Sequence, residues 1–537
     1  MKQITDVTDL IARLVALIAI YTLAASVASS QTLTVLTHQV FDPDSPLIQG
    51  LDGDFYGAQP GGAIFKVTPE GTLTIVHSFS RSEGTNPGPL LLATDGNFYG
   101  STNEFGPNGF GGIFKLTPSG ILTIIHGFQA SDGENPLNGG LAQGSNGDLY
   151  GTTYEGGEFD GGTAYKISLD GVFEKLYDFP KHSGPIGALI RATDGNFYGV
   201  TQSGGSTGTG TVFRMTPAGA VTTLHNFGSE NDGGWPLYGL VQASNGKLYG
   251  TVTEGPGTNQ GAVYEITTTG LYTLIYSFDF GSGPECSLIQ ATNGKLYGTT
   301  YGGGTHNGGT VFEITTAGTL TTLYNFCADT GEPDDCGSLP EAGLFQATNG
   351  LLYGTTGYGE WQSSTNYEGE IFNESVGLGA FVQSIPTFGP TGTKVIILGT
   401  DLTGTTSVSF NGTPAVFTVV SPTEITTTVP AGARTGEIQV VTPGATLFSK
   451  LADFRVTPVI SSFAPASGPV GTNLVITGSG FLEATRVTFS ENVIAPSFTV
   501  NSDAQITVMV PSGAKTGPVQ VTTPGGTATS SQSFTVM

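Results

Sequence analysis

Short segments of alternating apolar and polar residues, grouped in fours, run through most of the chain. The group is clearest at Ser287–Phe326. There LIQA passes through Asn293-Gly294 into KLYGTT, and a Gly-rich loop at Tyr301–Gly309 leads to TVFEIT. A small turn at Thr316–Gly318 then delivers TLTTLYNF. A period of two predicts strands, and Asn-Gly between two such segments predicts a β-hairpin. Four antiparallel strands of this length form a sheet that cannot bury both faces by itself, so neighbours are required.

The neighbours are further copies of the same unit. Its tyrosine-glycine pair falls at Tyr56, Tyr99, Tyr150, Tyr198, Tyr249, Tyr297 and Tyr353, at spacings of 43 to 56 residues. Each pair follows an Asx-Gly turn, at Asp52, Asp95, Asn146, Asp194, Asn245, Asn293 and Asn349. Repeats of this period indicate a propeller or a solenoid, and units made only of strands favour the propeller. Seven repeats predict seven blades. The seventh lacks a clear fourth strand, whereas Thr32–Phe41 (TLTVLTHQVF) resembles one without a blade of its own. That strand is expected to complete the last blade and close the ring, which removes two exposed sheet edges.

Strand alternation sorts the connections by face. The Asx-Gly hairpins and the TPxG-like turns (Thr68–Gly71, Thr117–Gly120, Thr216–Gly219) share one face and are short. The Gly-rich loops and the inter-blade loops share the other and vary in length. Ligands usually bind variable loops on a rigid scaffold, so the variable face is the expected binding face.

From about Ala380 the repeat stops. Two segments follow with one order of motifs: IPTFGPTGTKVIILGTDL, SVSFNG, EITTTVPAG and GEIQVVTPG, then ISSFAPASGPVGTNLVITGSGF, RVTFS, QITVMVPSG and GPVQVTTPGG. Each reads as an immunoglobulin-like sandwich. Their Pro-rich opening turns (Pro386–Gly392, Pro465–Gly471) and the GTxxxIxG run resemble IPT/TIG domains. The repeat itself, with DGNFYG, GGTVF and TPxGTLTTLY, resembles the bacterial GloVer-type tandem repeat over about Leu47–Phe372. That resemblance implies an exported protein of the choice-of-anchor kind and brings no established catalytic residues. The expected fold is therefore all-β: a leader at 1–31, a seven-bladed β-propeller at 32–379, and two IPT/TIG-like β-sandwiches at 380–457 and 458–537.

Composition narrows the function. Eighty-two glycines among 537 residues, with 11% charged residues, suit tight turns between short strands. A net charge of −25 disfavours nucleic acid and anionic membranes as partners. Lys2 and Arg13, the apolar stretch Leu14–Val27 and the small residues Ala25–Ala28 read as a secretory signal, so a secreted or cell-surface location is expected. No membrane-spanning segment is expected in the mature chain, which is read as a monomer. Cys327 and Cys336 share a loop and are expected to pair in an oxidising compartment. Cys286 is then left free, although its pairing with either of the others stays open.

Candidate chemistry is sparse. His77, His126 and His225 occupy an outer-strand position that other repeats fill with Tyr177, Tyr276 and Tyr324, which indicates packing or capping. Gly204–Gly208 matches G-x-S-x-G, but that motif works on a strand-to-helix elbow, and here it lies in a loop of a β-blade. The inter-blade loops carry recurrent carboxylates, among them Asp132, Glu134, Glu230, Asp232 and Asp334. The variable face also holds Tyr154, Trp235, Tyr301, Tyr358 and Trp361. Turn chemistry accounts for many of the acidic residues. Functionally, Asp132, Glu134 and Asp232 beside the aromatics suit an extracellular glycan or a surface protein. Glu230, Asp232 and Asp334 suit a Ca²⁺ ion. The first expectation is a non-catalytic binding or adhesion protein. The alternatives are a polysaccharide-active enzyme, glycosidase or lyase, using loop carboxylates, and a structural cell-surface spacer.

Overall fold

The computed structural model describes residues 32–40, 45–136, 139–229, 231–255, 260–279, 283–327, 339–340, 342–357, 369–449 and 454–537. Seven antiparallel sheets, one per repeat, make the propeller. Blade 1 consists of Ile48–Gln49, Phe55–Gln59, Ala63–Val67 and Leu73–Ser78. Blade 6 repeats that plan with Ile289–Gln290, Leu296–Thr300, Thr310–Ile314 and Leu320–Asn325. In blade 2 the inner strand is split into Thr85–Pro87 and Leu91–Leu92, both paired with Phe98–Glu104. Seven apolar clusters fill the seven blade-to-blade interfaces, including one that joins Leu47, Phe55 and Phe65 of blade 1 to Tyr353 and Ile371 of blade 7.

The Tyr-Gly pair has a physical cause. A third-strand aromatic ring lies over the glycine: a Cβ on Gly298 would meet Phe312 Cζ at 2.8 Å and Leu288 Cδ2 at 2.9 Å. The tyrosine hydroxyl locks the hairpin before it. Tyr56, Tyr99 and Tyr198 donate to Asp52, Asp95 and Asp194 at 2.8, 2.9 and 2.7 Å. Where the turn carries asparagine, its amide donates to the tyrosine instead, as from Asn293 to Tyr297 at 2.8 Å. Burial, with the adjacent carboxylate, pushes the Tyr56 phenol far above its ordinary pKa.

Glutamines tie the blades to one another. Gln290 of blade 6 accepts from the Ser244 N–H of blade 5 at 2.8 Å and donates to its own hairpin at the Gly294 carbonyl, 2.8 Å. Gln346 does the same for blade 6 at Thr292, 3.0 Å. At the seam, Gln49 of blade 1 accepts from the Thr348 N–H of blade 7 at 3.1 Å. Phe55 lies against Tyr353 with ring centroids 4.1 Å apart. The outermost strand of blade 7 is Thr32–Val40, antiparallel to Gly369–Ser375. The ring is thus joined across its two ends by a strand, a clasp and a ring contact.

Each sandwich packs two four- or five-stranded sheets around its own apolar core, centred on Phe410 and Phe454 in the first and on Phe489 and Phe534 in the second. The first sandwich sits on the hairpin face of the propeller. Thr423 Oγ1 donates to the Leu51 carbonyl at 2.7 Å, Thr348 and Thr400 hydroxyls meet at 3.0 Å, and Leu398 enters the core cluster of blades 1 and 2. Arg191 lays its guanidinium on Phe388 at 3.8 Å.

Candidate functional site

With a sandwich on the hairpin face, the variable loops are the open end of the propeller. Three repeated devices shape them. First, the residue closing an outer strand holds the Gly-rich loop: Asp178 accepts from Glu158 N–H at 2.8 Å, Asn226 from Ser206 N–H at 3.0 Å, and Asn325 from Thr305 N–H at 2.9 Å. Ser206 of the G-x-S-x-G match is therefore part of a capped loop. Second, each inter-blade loop is zipped to a Gly-rich loop by backbone bonds, as between Glu134 and Glu155 (2.8 and 3.1 Å) or Gly234 and Glu254 (2.8 and 3.3 Å).

The third device joins two groups that the sequence reading kept apart. Outer-strand histidines meet the loop carboxylates: His77 with Glu83 at 3.5 Å, His126 with Asp132 at 3.4 Å, and His225 with Asp232 at 3.1 Å. The same carboxylates cap their turns. Asp132 accepts from Gln129 N–H at 2.7 Å, and Asp232 from Gly228 and Ser229 N–H at 3.0 and 2.7 Å. Burial holds His126 and His225 below the ordinary imidazole pKa, against the pull of the aspartates. Sequence held a trace of this, since histidine stands six or seven residues before an acid in all three repeats.

Asp232 and Asp132, both expected to face a ligand, also serve their own turns. Asp232 is 5% exposed with both oxygens hydrogen-bonded, one to His225 and one to its turn. Asp132 is half-buried in the same arrangement. Trp235 is half-buried with a φ of +57°; its N–H donates to the Thr209 carbonyl at 2.9 Å and its carbonyl accepts from the Thr253 hydroxyl at 3.1 Å. Tyr301 is half-buried, with its N–H bonded to Gly283. Glu230, Asp334, Tyr358, Trp361 and Cys336 lie outside the described residues. Among the described residues no three His, Cys, Asp or Glu side chains converge as they would around a metal ion. Cys286 is a buried free thiol.

What remains is a patch over blade 3 at its border with blade 4. Partial burial, and then the nearby carboxylates of Glu155 and Asp160, raise the Glu134 pKa above the usual carboxylate value. Asn135 donates to Glu155 at 3.2 Å. Tyr154 reaches across to Gln202 of blade 4, its hydroxyl donating at 2.7 Å. Phe159, half exposed, stands between these carboxylates in sequence. Of the expected ligand residues, the structure brings Glu134 and Tyr154 to this patch. Glu155 and Asp160 join them, with Phe159 next to Asp160 in sequence, and their signal was the acidic and aromatic run Glu155–Asp160 in a Gly-rich loop no longer than those of blades 2, 4, 5 and 6.

Compared with known families, residues 19–185, 90–283 and 185–414 match the Gloeobacter/Verrucomicrobia repeat, and residues 380–456 and 458–536 match the IPT/TIG domain. No curated protein matches the chain. Among solved structures it is similar to the extracellular domain of a hybrid two-component system from B. thetaiotaomicron, at 12% identity and a TM-score of 0.46. That likeness covers 93% of this chain and 58% of the other. It is also similar to a gluconolactonase from Xanthomonas campestris (11% identity, TM-score 0.35, 64% and 89% covered) and to a surface glycan-binding protein from Prevotella bryantii (17%, 0.22, 30% and 39%). The chain thus spans 58% of the length of the first of these neighbours.

Proposed function

The chain belongs to the Gloeobacter/Verrucomicrobia repeat family, and from that premise we propose an exported binding protein that takes a carbohydrate or protein ligand on its variable-loop face. The observation that carries this reading is the use made of the two faces. The hairpin face is occupied by the first sandwich through Thr423, Thr400, Leu398 and Phe388. On the other face, Asp232 is bonded to His225 and to its turn, and Glu83 and Asp132 accept from the Ser80 and Gln129 N–H groups of theirs, so these carboxylates are engaged in structure. A rim stitched by backbone and side-chain bonds suits recognition. The patch of Tyr154, Phe159, Glu134, Glu155 and Asp160 offers aromatic faces for sugar rings and acceptors for hydroxyls.

One observation favours the catalytic alternative: Glu134 holds its proton more tightly than an ordinary carboxylate while Glu155 and Asp160 supply charge beside it, the pattern of a separated acid and base. A glycan array and a reducing-end assay on the purified chain test both. Capture of a glycan class without product, weakened by Phe159→Ala or Tyr154→Ala, is the expected result. Sugar release that disappears in Glu134→Gln would replace binding by hydrolysis, and neither capture nor release by any glycan or surface protein would leave the spacer.

A further inference from the structure

Five blades place glutamine three residues before the hairpin Asx: Gln49, Gln143, Gln242, Gln290 and Gln346. Blade 4 places Arg191 there. Instead of clasping the preceding hairpin, Arg191 turns to the first sandwich and stacks on Phe388, and the Arg455 guanidinium lies 5.6 Å from the same ring. Phe388 and Arg455 are partners on adjacent parallel strands, which holds the second guanidinium in register with the first. Both arginines open into a cavity of about 600 Å³ bounded by Leu240 and Leu288 of the propeller, Thr387 and Thr435 of the first sandwich, and Pro524 of the second.

In a chain of charge −25 these two cations would be expected to find carboxylates, and among the described residues neither has an ion pair. Arg191 Nη1 is buried with no hydrogen-bond partner. The nearby acids are engaged elsewhere. Asp194 accepts from Asn196 at 3.0 and 2.9 Å and from Tyr198 at 2.7 Å. Glu483 accepts from the Thr435 N–H at 2.9 Å. Burial and the repulsion from Arg455 bring the Arg191 pKa down to about 10, only partly offset by Asp194. Burial lowers that of Arg455 as well. Two guanidiniums held near one another, one with an unused N–H, have no ion-pair partner among the described residues, and Asp194 offsets their charge only in part.

We propose that the junction of propeller and sandwiches is an oxyanion site, in which Arg191 and Arg455 grip a sulfate or carboxylate group, free in solution or carried on an acidic sugar. Arginine forks match the planar or tetrahedral oxygens of such groups, and hydroxyl-bearing side chains at Thr193, Ser244, Thr387 and Thr435 line the same space. Occupation would cancel the repulsion and fasten the sandwiches to the hairpin face. This site is separate from the variable-loop patch.

Calorimetric titration of the purified full chain at constant ionic strength, with sodium sulfate, glucuronate and glucose as probes, tests it. Saturable one-to-one binding of sulfate or glucuronate, with none of glucose, is expected. Tighter binding of glucuronate would point to a sugar-borne acid, and tighter binding of sulfate to the free ion. Arg191→Gln, which restores the residue of five other blades, and Arg455→Gln should each weaken it by roughly 10- to 100-fold. Lys175→Gln, a distant surface cation, should not change it. Should the variants misfold, arginine labelling by phenylglyoxal in the unaltered chain serves instead: the anion should protect Arg191 and Arg455 selectively. Absence of saturable binding at millimolar anion, or binding unchanged in both variants, would overturn the proposal.

Discussion

Replacing Glu374 by glutamine is expected to stabilise the propeller at alkaline pH and to do little in acid. Glu374 stands on the third strand of blade 7, paired with Leu352 on one side and with Leu33 of the closing strand on the other. Blade 6 holds Ile314 at the equivalent register, opposite Leu296. The carboxyl group is fully buried, neither oxygen has a hydrogen-bond partner, and burial raises its pKa from 4.5 to about 7. The charged groups that face this region are Tyr324, whose phenol is raised by burial and by Glu370 and Glu374, and Glu370, which is bound to His38 at 2.9 Å. The sign follows from proton counting. Between the unfolded and folded pKa values the native chain holds a proton that the unfolded chain has lost, so stability falls as pH rises from about 4.5 to about 7 and is then level. At about 1.4 kcal/mol per unit the full penalty is roughly 3 kcal/mol, a ceiling that water entering the seam reduces toward 2. Urea midpoints for the propeller transition of both chains, taken between about pH 4 and pH 8, should diverge by that amount as pH rises. Glu374→Ile should add a pH-independent gain of about 1–3 kcal/mol from apolar burial. A Glu374→Gln advantage that stays constant across the range, or is absent at alkaline pH, would refute the account of this residue.

Three other expectations test the ring. Gly298→Ala forces a methyl group against Phe312 and Leu288, and should lower stability by about 1–3 kcal/mol in urea unfolding. Gln49→Ala removes the acceptor of the buried Thr348 N–H at the seam, and a loss of about 1–3 kcal/mol is expected, with faster proteolysis near both ends of the propeller as the check. For the Cys327–Cys336 bridge, the denatured but unreduced chain should take up one equivalent of iodoacetamide, at Cys286; uptake of three would exclude the bridge.

Fold was legible because its determinants are local and repeated. Tyr297, Gly298, Asn293 and the TVFEIT strand interact within one unit, so seven copies displayed the same constraint seven times. The C-terminal sandwiches were legible for the same reason, through duplicated turns. The rim was read less well. Acidic residues there were assigned to ligands or turns and histidines to packing, whereas His225 and Asp232 form one staple across a loop that hides their proximity. Trp235 drew attention as an aromatic on a variable loop, yet its main-chain groups bind Thr209 and Thr253 and its ring is half-buried. Arg191 was overlooked because the residues it meets, Phe388 and Arg455, lie in another domain far along the chain.

That oversight shows where information about function lies in a ring of near-identical blades. A residue shared by every or nearly every repeat answers a demand common to the interfaces, and the glycine-aromatic contacts and the five glutamine clasps are of this kind. A residue that departs from the pattern answers to something only its own blade meets. At the clasp position the two departures are Leu92 and Arg191, and both face the first sandwich: Leu92 shares a cluster with Leu398, and Arg191 stacks on Phe388. In blade 7 the departures are Glu370 and Glu374, and both line the strand that receives Thr32–Val40. One pair of exceptions marks where a domain is docked and the other where the circle is joined. By the same logic, the loop of blade 3, which departs by bringing Glu155 and Asp160 beside Glu134, is where the proposed ligand should be sought first, and Glu155→Gln should change glycan capture more than Glu254→Gln in the loop of blade 5.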